Sequence, residues 1–518
     1  MPPSLPQHTS VLVVGAGPTG LLLAAELQRR QVPTLLIEAR PEALHWDRAT
    51  VIHPLSLEIF EALGLEEEFL DAGCRQRHIL IHADGERLGE LDLAGCGSRY
   101  GFNLGLSEEI TERLLSGHLQ RHGGTIHRGW RLIGLEPHGE GVIATIASGE
   151  QLHRVQARWV VGCDGLRSTT RELAGIAFDG EAIARPWAVF DAGVEGWRDS
   201  HEANAAYLDA TPLILTALPG RRWRVYLRPS SEQSDLVTEA GAVLQRYLPG
   251  ARFTEVENPS RFHCHTRVAR AFHSGAVFVA GDAAHVCSPA EGHGMNCGLQ
   301  DAANLGWKLA LVHHGTATPA LLDSYGLERR PVAERITRSG AATEQAHGLR
   351  DPQERAARNR AIAAMLADPV ARQHEVVAET EMNVGYAGSP ILCEWLAEGG
   401  LGGQPGAGQR LPTTIRLSPE QGGCHLHTLT QRPEHTLVLL GSADRDRGGF
   451  DSLRAQLETR AARSALPQTV VALRPGPTPP AGAGLTLLAV RPDGFIGLRA
   501  EREHLRALDH YERLVAGR

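Results

Sequence analysis

The chain has 518 residues, 42% apolar and 22% charged, with 57 glycines and a formal charge of −8. The length predicts about two to four domains. The glycines follow no repeat, which excludes collagen. The apolar content excludes disorder, and the mildly acidic balance gives no basis for nucleic acid or an anionic membrane.

Val11-Leu12-Val13-Val14 is an all-apolar run, the pattern of a strand buried on both faces. It enters Gly15-Ala16-Gly17-Pro18-Thr19-Gly20, a G-x-G-x-x-G. A helix pattern follows over Leu21 to Arg30, then a second strand over Thr34 to Ile37 ending at Glu38. Gly15 permits the tight turn, Gly17 lets a pyrophosphate approach the backbone, and Gly20 lets helix and strand pack closely. The helix start offers unpaired N–H groups to phosphates, and Glu38 can accept hydrogen bonds from a ribose diol. Strand, loop, helix, strand and acid in that order predict a dinucleotide site, with Thr19 in the loop and Arg40 just past the acid. The apolar stretch from Val11 to Leu27 is not read as a signal peptide or a span. No Lys or Arg precedes it, and Gly15, Gly17, Gly20 and Glu26 interrupt it.

Further on, Trp159 to Cys163 reads as a strand leading into Asp164-Gly165, with Arg167 and Arg171 after it. Between residues 178 and 272 there is no nucleotide motif. Strands are expected at Ala188 to Phe190, Leu213 to Leu215 and Trp223 to Leu227. The last alternates bulky and charged residues, the pattern of a half-exposed sheet, so Arg221, Arg222, Arg224 and Arg228 are assigned to a solvated face. Tyr207, Tyr226 and His263 are candidate pocket polars. Ala276 to Ala280 is another buried strand, followed by Gly281-Asp282 and the loop Ser288-Pro289-Ala290-Glu291-Gly292-His293. A helix is expected from about Cys297 to His313. Asp282 could bind a ribityl hydroxyl, and the Gly294, Met295 and Asn296 amides at the helix start could stabilise negative charge. Residues 335–385 are helical in pattern, and 399–408 form a Gly/Pro linker. Beyond it come strands at 436–440, 469–473, 485–490 and 495–498, and helices at 450–464 and 504–515.

The eight cysteines form no C-x-x-C pair and fit a reducing cytoplasm. His263-Cys264-His265 and Cys424-His425-Leu426-His427 are the tight His/Cys clusters. Each lacks a second nearby pair, so no metal site is expected.

The order G-x-G-x-x-G, Asp164-Gly165, Gly281-Asp282 resembles that of the class A FAD-dependent aromatic monooxygenases, the para-hydroxybenzoate and phenol hydroxylase-like family. Asp47-Arg48-Ala49, His53 to Phe60, Asp282 to Ala310 and Ser324 to Ala333 are similar to its flanking segments. The resemblance implies an α/β fold: a Rossmann-like FAD-binding domain over 1–177 and 273–400, an inserted mixed-sheet substrate domain over 178–272, and a thioredoxin-like domain over 401–518. That tail has one cysteine, so it is read as structural. FAD would be held by Glu38 at the adenosine ribose, Arg48 at the phosphates and Asp282 at the ribityl chain. Pro289 would lie beside the oxygen-reactive carbon. Asp164 and Arg171 are candidates for a transient NADPH or NADH, since no second G-x-G-x-x-G follows a strand. Glu108 stands where the family often has a flavin-contacting Gln, and Glu291 and His293 depart from its Gly-Gly-Gln loop. The implied activity is NAD(P)H- and O2-dependent hydroxylation of a phenolic or polyketide-type aromatic through a flavin C4a-hydroperoxide. Baeyer–Villiger or N-oxygenating chemistry, and an inactive flavin-binding scaffold, stay open. So do the substrate and the oligomeric state.

Overall fold

The computed structural model describes residues 5–46, 49–183, 185–288, 292–397, 405–417, 423–441, 447–473 and 484–517. The elements that matter, in chain order, begin with β1 (His8–Val14), α1 (Pro18–Gln28), β2 (Thr34–Glu38) and α2 (Pro54–Ala62). The hairpin β3 (His78–Ala83) and β4 (Glu86–Asp92) follows, then β5 (Ile126–Arg128), β6 (Arg131–His138), β7 (Gly141–Ser148) and β8 (Gln151–Gly162). Next come β9 (Trp187–Glu195), β10 (Ala203–Tyr207), β11 (Leu213–Leu218), β12 (Arg222–Leu227), α3 (Leu236–Tyr247) and β13 (Arg252–Phe262). The chain returns through β14 (His273–Ser274) and β15 (Val277–Val279) to the helices α4 (His293–His313), α5 (Asp323–His347), α6 (Pro352–Ala367) and α7 (Pro369–Glu379). It ends with β16 (Cys393–Trp395), β17 (His435–Leu440), α8 (Arg447–Ala461), β18 (Gln468–Leu473), β19 (Thr486–Val490), β20 (Ile496–Ala500) and α9 (His504–Ala516).

The nucleotide sheet runs β14-β15-β8-β1-β2-β5, with β7 and β6 folded onto β8 as an antiparallel flap. β1 pairs in parallel with both β2 and β8, as a βαβ unit requires. Its side chains from Val11 to Val14 are buried on both faces because α1 and α4 cover one side and the flap the other. The second sheet runs β13-β9-β12-β11-β10-β3-β4. Two of its strands, β3 and β4, therefore come from residues 78–92, outside the expected 178–272 insertion. The alternation in β3 explains the borrowing. Leu80 enters the core beneath the sheet while Ile79 and Ile81 face the opposite side.

The half-exposed reading of β12 needs correcting in the same terms. Trp223, Val225 and Leu227 pack into the core with α3. Arg221 is exposed and Arg222 partly so, paired with Glu255 and Glu257, but Arg224 is 0% exposed and Arg228 only 4%. Arg224 Nη2 donates to Asp191 Oδ2 at 2.9 Å, and the guanidinium stacks 4.7 Å over the Trp46 ring. Arg224 is thus covered by Asp191 and Trp46 rather than by water, and Tyr226, next on this face, lines a cavity.

The last sheet runs β16-β20-β19-β17-β18, and its β17-α8-β18-β19-β20-α9 order is that of a thioredoxin-like unit. The expected boundary at 400 shifts, since β16 lies before the linker yet pairs with β20. The unit is fixed to the rest of the chain by buried charges. Arg491 donates to Glu328 Oε1 and Oε2 at 2.6 and 2.9 Å, and His427 Nε2 lies 3.0 Å from Glu61. All eight cysteines are free thiols. No helix among the described residues is long and apolar enough to cross a membrane.

Candidate active site

A cavity of about 1110 Å³ runs from the β1–α1 turn to the face of the seven-stranded sheet opposite α3. That exceeds the roughly 300–1,000 Å³ of an ordinary small-ligand site and leaves room for two molecules.

At its nucleotide end, the glycine loop has the shape a pyrophosphate needs. Gly15 has φ +104°, and a Cβ there would stand 2.3 Å from the Cys163 carbonyl oxygen. A Cβ on Gly20 would stand 1.9 Å from the Gly15 oxygen, so this residue serves helix–strand packing and does not line the cavity. Gly17 is different. A Cβ there would meet nothing closer than Glu112 Oε1 at 3.8 Å, and the open space belongs to the cavity beside the α1 N-terminus. Thr19, Glu38 and Arg40 line the same end. Glu38 accepts from the Ala16 and Arg40 backbone N–H groups at 2.9 and 2.8 Å. Burial opposes its charge, but those hydrogen bonds and the Arg40 guanidinium hold its carboxyl below the usual range.

The Gly281-Asp282 turn is set by a buried ionic cluster that spacing in the sequence does not reveal. Asp301, from the third turn of α4, accepts the Gly281 N–H at 3.0 Å and lies 2.6 Å from His285 Nε2. Its other oxygen accepts from Arg329 Nε at 2.7 Å. Burial opposes the charge on His285, but the neighbouring Cys297 and Asp301 outweigh it and raise its pKa well above the usual value. Asp282 is thereby left exposed on the cavity wall. Helix α4 starts four residues earlier than the sequence pattern indicated. Gly292 caps it at φ +69°, and Gly294 and Met295 line the cavity at its first turn. Asn296 does not line it. Its side chain accepts from the His53 N–H and donates to the Val51 and Gly292 carbonyls, each at 2.9 Å, pinning the segment before α2 to the start of α4.

The nicotinamide candidates separate. Asp164 lines the cavity, but its carboxylate accepts from Thr170 N and Oγ1 at 2.9 and 3.0 Å and closes its own turn. Arg171 is buried off the cavity, donating to the Ala283 and Leu166 carbonyls at 3.1 and 3.0 Å. Among the described residues, Arg40, Arg131 and Arg167 are the arginines that line the cavity. Arg167 was noted in the sequence beside the Asp164-Gly165 turn, and Arg131 was not. Arg48 and Pro289 lie outside the described residues.

At the other end, the cavity is roofed by α5, α6 and α7 and floored by one face of the sheet. Ile81, Ala206, Ile214 and Tyr226 stand directly opposite one another across four strands. Thr216 lies on the same face, and the Tyr226 hydroxyl lies 3.2 Å from Thr50 Oγ1. Burial raises the Tyr226 pKa despite Arg224 beside it. His263 is exposed at the rim of the cavity. Tyr207 points the other way, into the core against His82 and Tyr247. Neither His/Cys run noted in the sequence forms a converging ligand set among the described residues. Such sets occur instead at His53, His293 and Glu381, and at His285, Cys297 and Asp301.

The family profile described as an FAD binding domain matches residues 8–340. The chain is an FAD-dependent aromatic monooxygenase. It is 31% identical to the 6-methylpretetramide 4-monooxygenase of Streptomyces rimosus over 97% of this chain and 92% of that protein. It is 33% identical to the pentachlorophenol 4-monooxygenase of Sphingobium chlorophenolicum, over 64% of each chain. Among solved structures, the anhydrotetracycline hydroxylase OxyS from Streptomyces rimosus superposes with a TM-score of 0.76 at 28% identity, covering 99% of both chains. The monooxygenase thus shares its whole architecture, tail included, with that enzyme. The open space at Gly17, the α1 and α4 N-termini and the exposed Asp282 carboxylate fit an elongated FAD along one wall of the cavity.

Proposed function

We propose that this monooxygenase uses NAD(P)H and O2 to hydroxylate a phenolic or polyketide-type aromatic in the chamber between the seven-stranded sheet and α5–α7. The observation that carries this reading is the continuity of the cavity. The glycine loop and Glu38 at one end, and Tyr226 at the other, line one space. Bound FAD supplies the electron acceptance from reduced pyridine nucleotide and the activation of oxygen.

The chain's own residues divide the remaining work. The Gly17 backbone and the α1 N-terminus receive the pyrophosphate, Glu38 receives the adenosine ribose and Asp282 receives the ribityl hydroxyls. The Gly294 and Met295 amides, at the positive end of α4, stabilise negative charge on the reduced ring. The Tyr226 hydroxyl orients the substrate hydroxyl. Ile79, Ile81, Leu208 and Ile214 keep water from the reacting carbon. Arg40, Arg131 and Arg167 offer positive charge to a visiting dinucleotide. The free thiols accord with a cytoplasmic setting.

The test is purification with bound flavin, followed by substrate-stimulated NAD(P)H oxidation and product mass under labelled oxygen. Incorporation of one oxygen atom into an aromatic carbon supports the reading. A folded, flavin-free protein, or NAD(P)H oxidation that yields only hydrogen peroxide with every phenol and polyketide offered, overturns it.

A further inference from the structure

Three buried side chains converge behind the cavity wall and take no part in the roles above. His53 is the N-cap of α2, His293 is the first residue of α4, and Glu381 lies two residues past α7. They are 0%, 6% and 2% exposed. One ring nitrogen of each histidine and one carboxylate oxygen of Glu381 lie within 4.8 Å of one another. His293 Nδ1 and Glu381 Oε1 are 3.1 Å apart, yet Glu381 Oε1 is buried and receives no hydrogen bond among the described residues. Two atoms that share one zinc ion at about 2.0–2.1 Å in tetrahedral geometry stand about 3.4 Å apart.

The neighbours turn these atoms toward one another. His53 Nδ1 lies 3.1 Å from Asn103 Oδ1, which can only accept, so Nδ1 carries the proton and Nε2 the lone pair. A metal-bound imidazole commonly has its other N–H held in this way. Gln300 Nε2 donates to Glu381 Oε2 at 2.5 Å, and Arg329 Nη1 donates to Gln300 Oε1 at 3.2 Å, which fixes the amide and leaves Oε1 to the rings. Burial opposes a charge on Glu381, but His293 and His53 beside it outweigh burial and hold its carboxyl below the usual range. A carboxylate therefore faces the two histidines. Glu381 also has φ +57°, a left-handed conformation that a non-glycine residue keeps only where its surroundings impose it. A Cβ on Gly292 would lie 3.6 Å from His53 Nε2, and Gly292 lines the cavity, so the glycine leaves a short path from the cavity to that nitrogen.

We propose that His53, His293 and Glu381 bind a zinc ion that clasps the segment before α2, the start of α4 and the chain after α7 together behind the cavity wall. Two imidazoles and one carboxylate suit zinc, whereas calcium and magnesium take oxygen ligands. Three protein ligands leave a fourth position for water or another group. The sequence shows no such site because its ligands lie far apart in the chain. The proposal does not depend on what the enzyme oxidises.

The experiment is a zinc count on the full-length protein, loaded with zinc chloride and dialysed against metal-free buffer, with affinity read by competition with a fluorescent chelator. The wild type should retain about one zinc ion per chain. Glu381→Gln and His293→Gln should each retain about a tenth of that or less. Gln300→Ala, which removes no ligand, should bind zinc about 10–100-fold more weakly. His118 and His122, with rings 4.3 Å apart, form a second imidazole pair that could collect stray zinc, so His122→Gln should keep the ion. Cobalt in place of zinc should give bands to the red of the flavin absorption, as a four-coordinate site does. A wild type emptied by dialysis, equal retention in Glu381→Gln, or loss in His122→Gln shows an adventitious ion only and overturns the proposal. Where both ligand variants fail to fold, an unchanged affinity in Gln300→Ala or a wild type without the cobalt bands overturns it.

Discussion

Replacing Asp301 by Asn keeps the side-chain shape and an acceptor for the Gly281 N–H, but removes a charge that faces two buried cations. His285 can respond by releasing its proton, because part of what holds the proton there is Asp301 itself. Arg329 cannot, since a guanidinium stays charged, and it is fully buried. Removing one partner of a buried ion pair costs about 3–5 kcal/mol. Arg329 retains Gln300 Oε1 at 3.2 Å and the Cys297 carbonyl at 3.1 Å, which soften the loss. The expected cost is therefore near the lower end, about 3 kcal/mol. Much of it falls on the Gly281-Asp282 turn, so FAD affinity should drop by up to about 100-fold. Fluorescence titration of the apoprotein with FAD reads the affinity, and urea unfolding reads the stability. An Asp301→Asn protein that binds FAD within threefold of wild type and loses under ~1 kcal/mol would refute the assignment of this cluster as the anchor of the turn.

Gly15→Ala should yield largely flavin-free protein, because it combines a strained φ with a Cβ only 2.3 Å from the Cys163 carbonyl; the ratio of flavin to protein absorbance checks it. Tyr226→Phe should lower kcat/KM about tenfold, the value of one substrate hydrogen bond. Because burial raises the Tyr226 pKa, wild-type activity should show no break from this hydroxyl below pH 10; a tyrosine-dependent break near pH 8 would contradict the geometry. His435, buried in β17 against Trp307 and Tyr511, has its pKa pushed down to about 3 by burial and by Arg491 and Arg30. Below about pH 6.5 the unfolded chain takes up a proton that the folded chain refuses, so stability falls by about 1.4 kcal/mol per pH unit towards pH 3. His118 and His347, both pushed down to about 4 chiefly by burial, add to the slope, so the difference between wild type and His435→Leu in urea unfolding at pH 7, 6 and 5 isolates the His435 share. Equal slopes in the two proteins would rule it out.

The nucleotide half was legible because its signals are local. A buried strand, a glycine turn and an acid lie within Val11 to Glu38, and each residue type is dictated by the close approach it makes. The tail was legible for the same reason, since its strands and helices are short, regular and separated by turns. What escaped depends on partners distant in sequence. Residues 78–92 carry an alternation that suits many sheets, and only the parallel pairing with β10 assigns them to the substrate sheet. The charges on β12 look solvated until Asp191 and Trp46 are seen to cover Arg224. Asp301 reads as an ordinary helical acid until Arg329, 28 residues on, is brought to it. His53, His293 and Glu381 share no motif and meet only in the fold. The early start of α4 was hidden by the glycines at 292 and 294, which read as loop although one of them is its cap.

The borrowed hairpin has a consequence for how the protein is made. β3 pairs in parallel with β10, from Ala203 to Tyr207, and β8 pairs in parallel with β15, from Val277 to Val279. Neither large sheet can close while the ribosome is still short of these partners, because each closing strand is encoded more than a hundred residues after the strand it joins. The nascent chain must therefore carry unpaired apolar edges from Ala83 until Val279 is made, the condition under which parallel pairings fold slowly and aggregate readily. Fragments cut at apparent domain limits inherit the same open edges. Expression of this enzyme should thus depend on slow translation or chaperone supply, and a fragment that stops short of Val279 leaves at least one of these edges open.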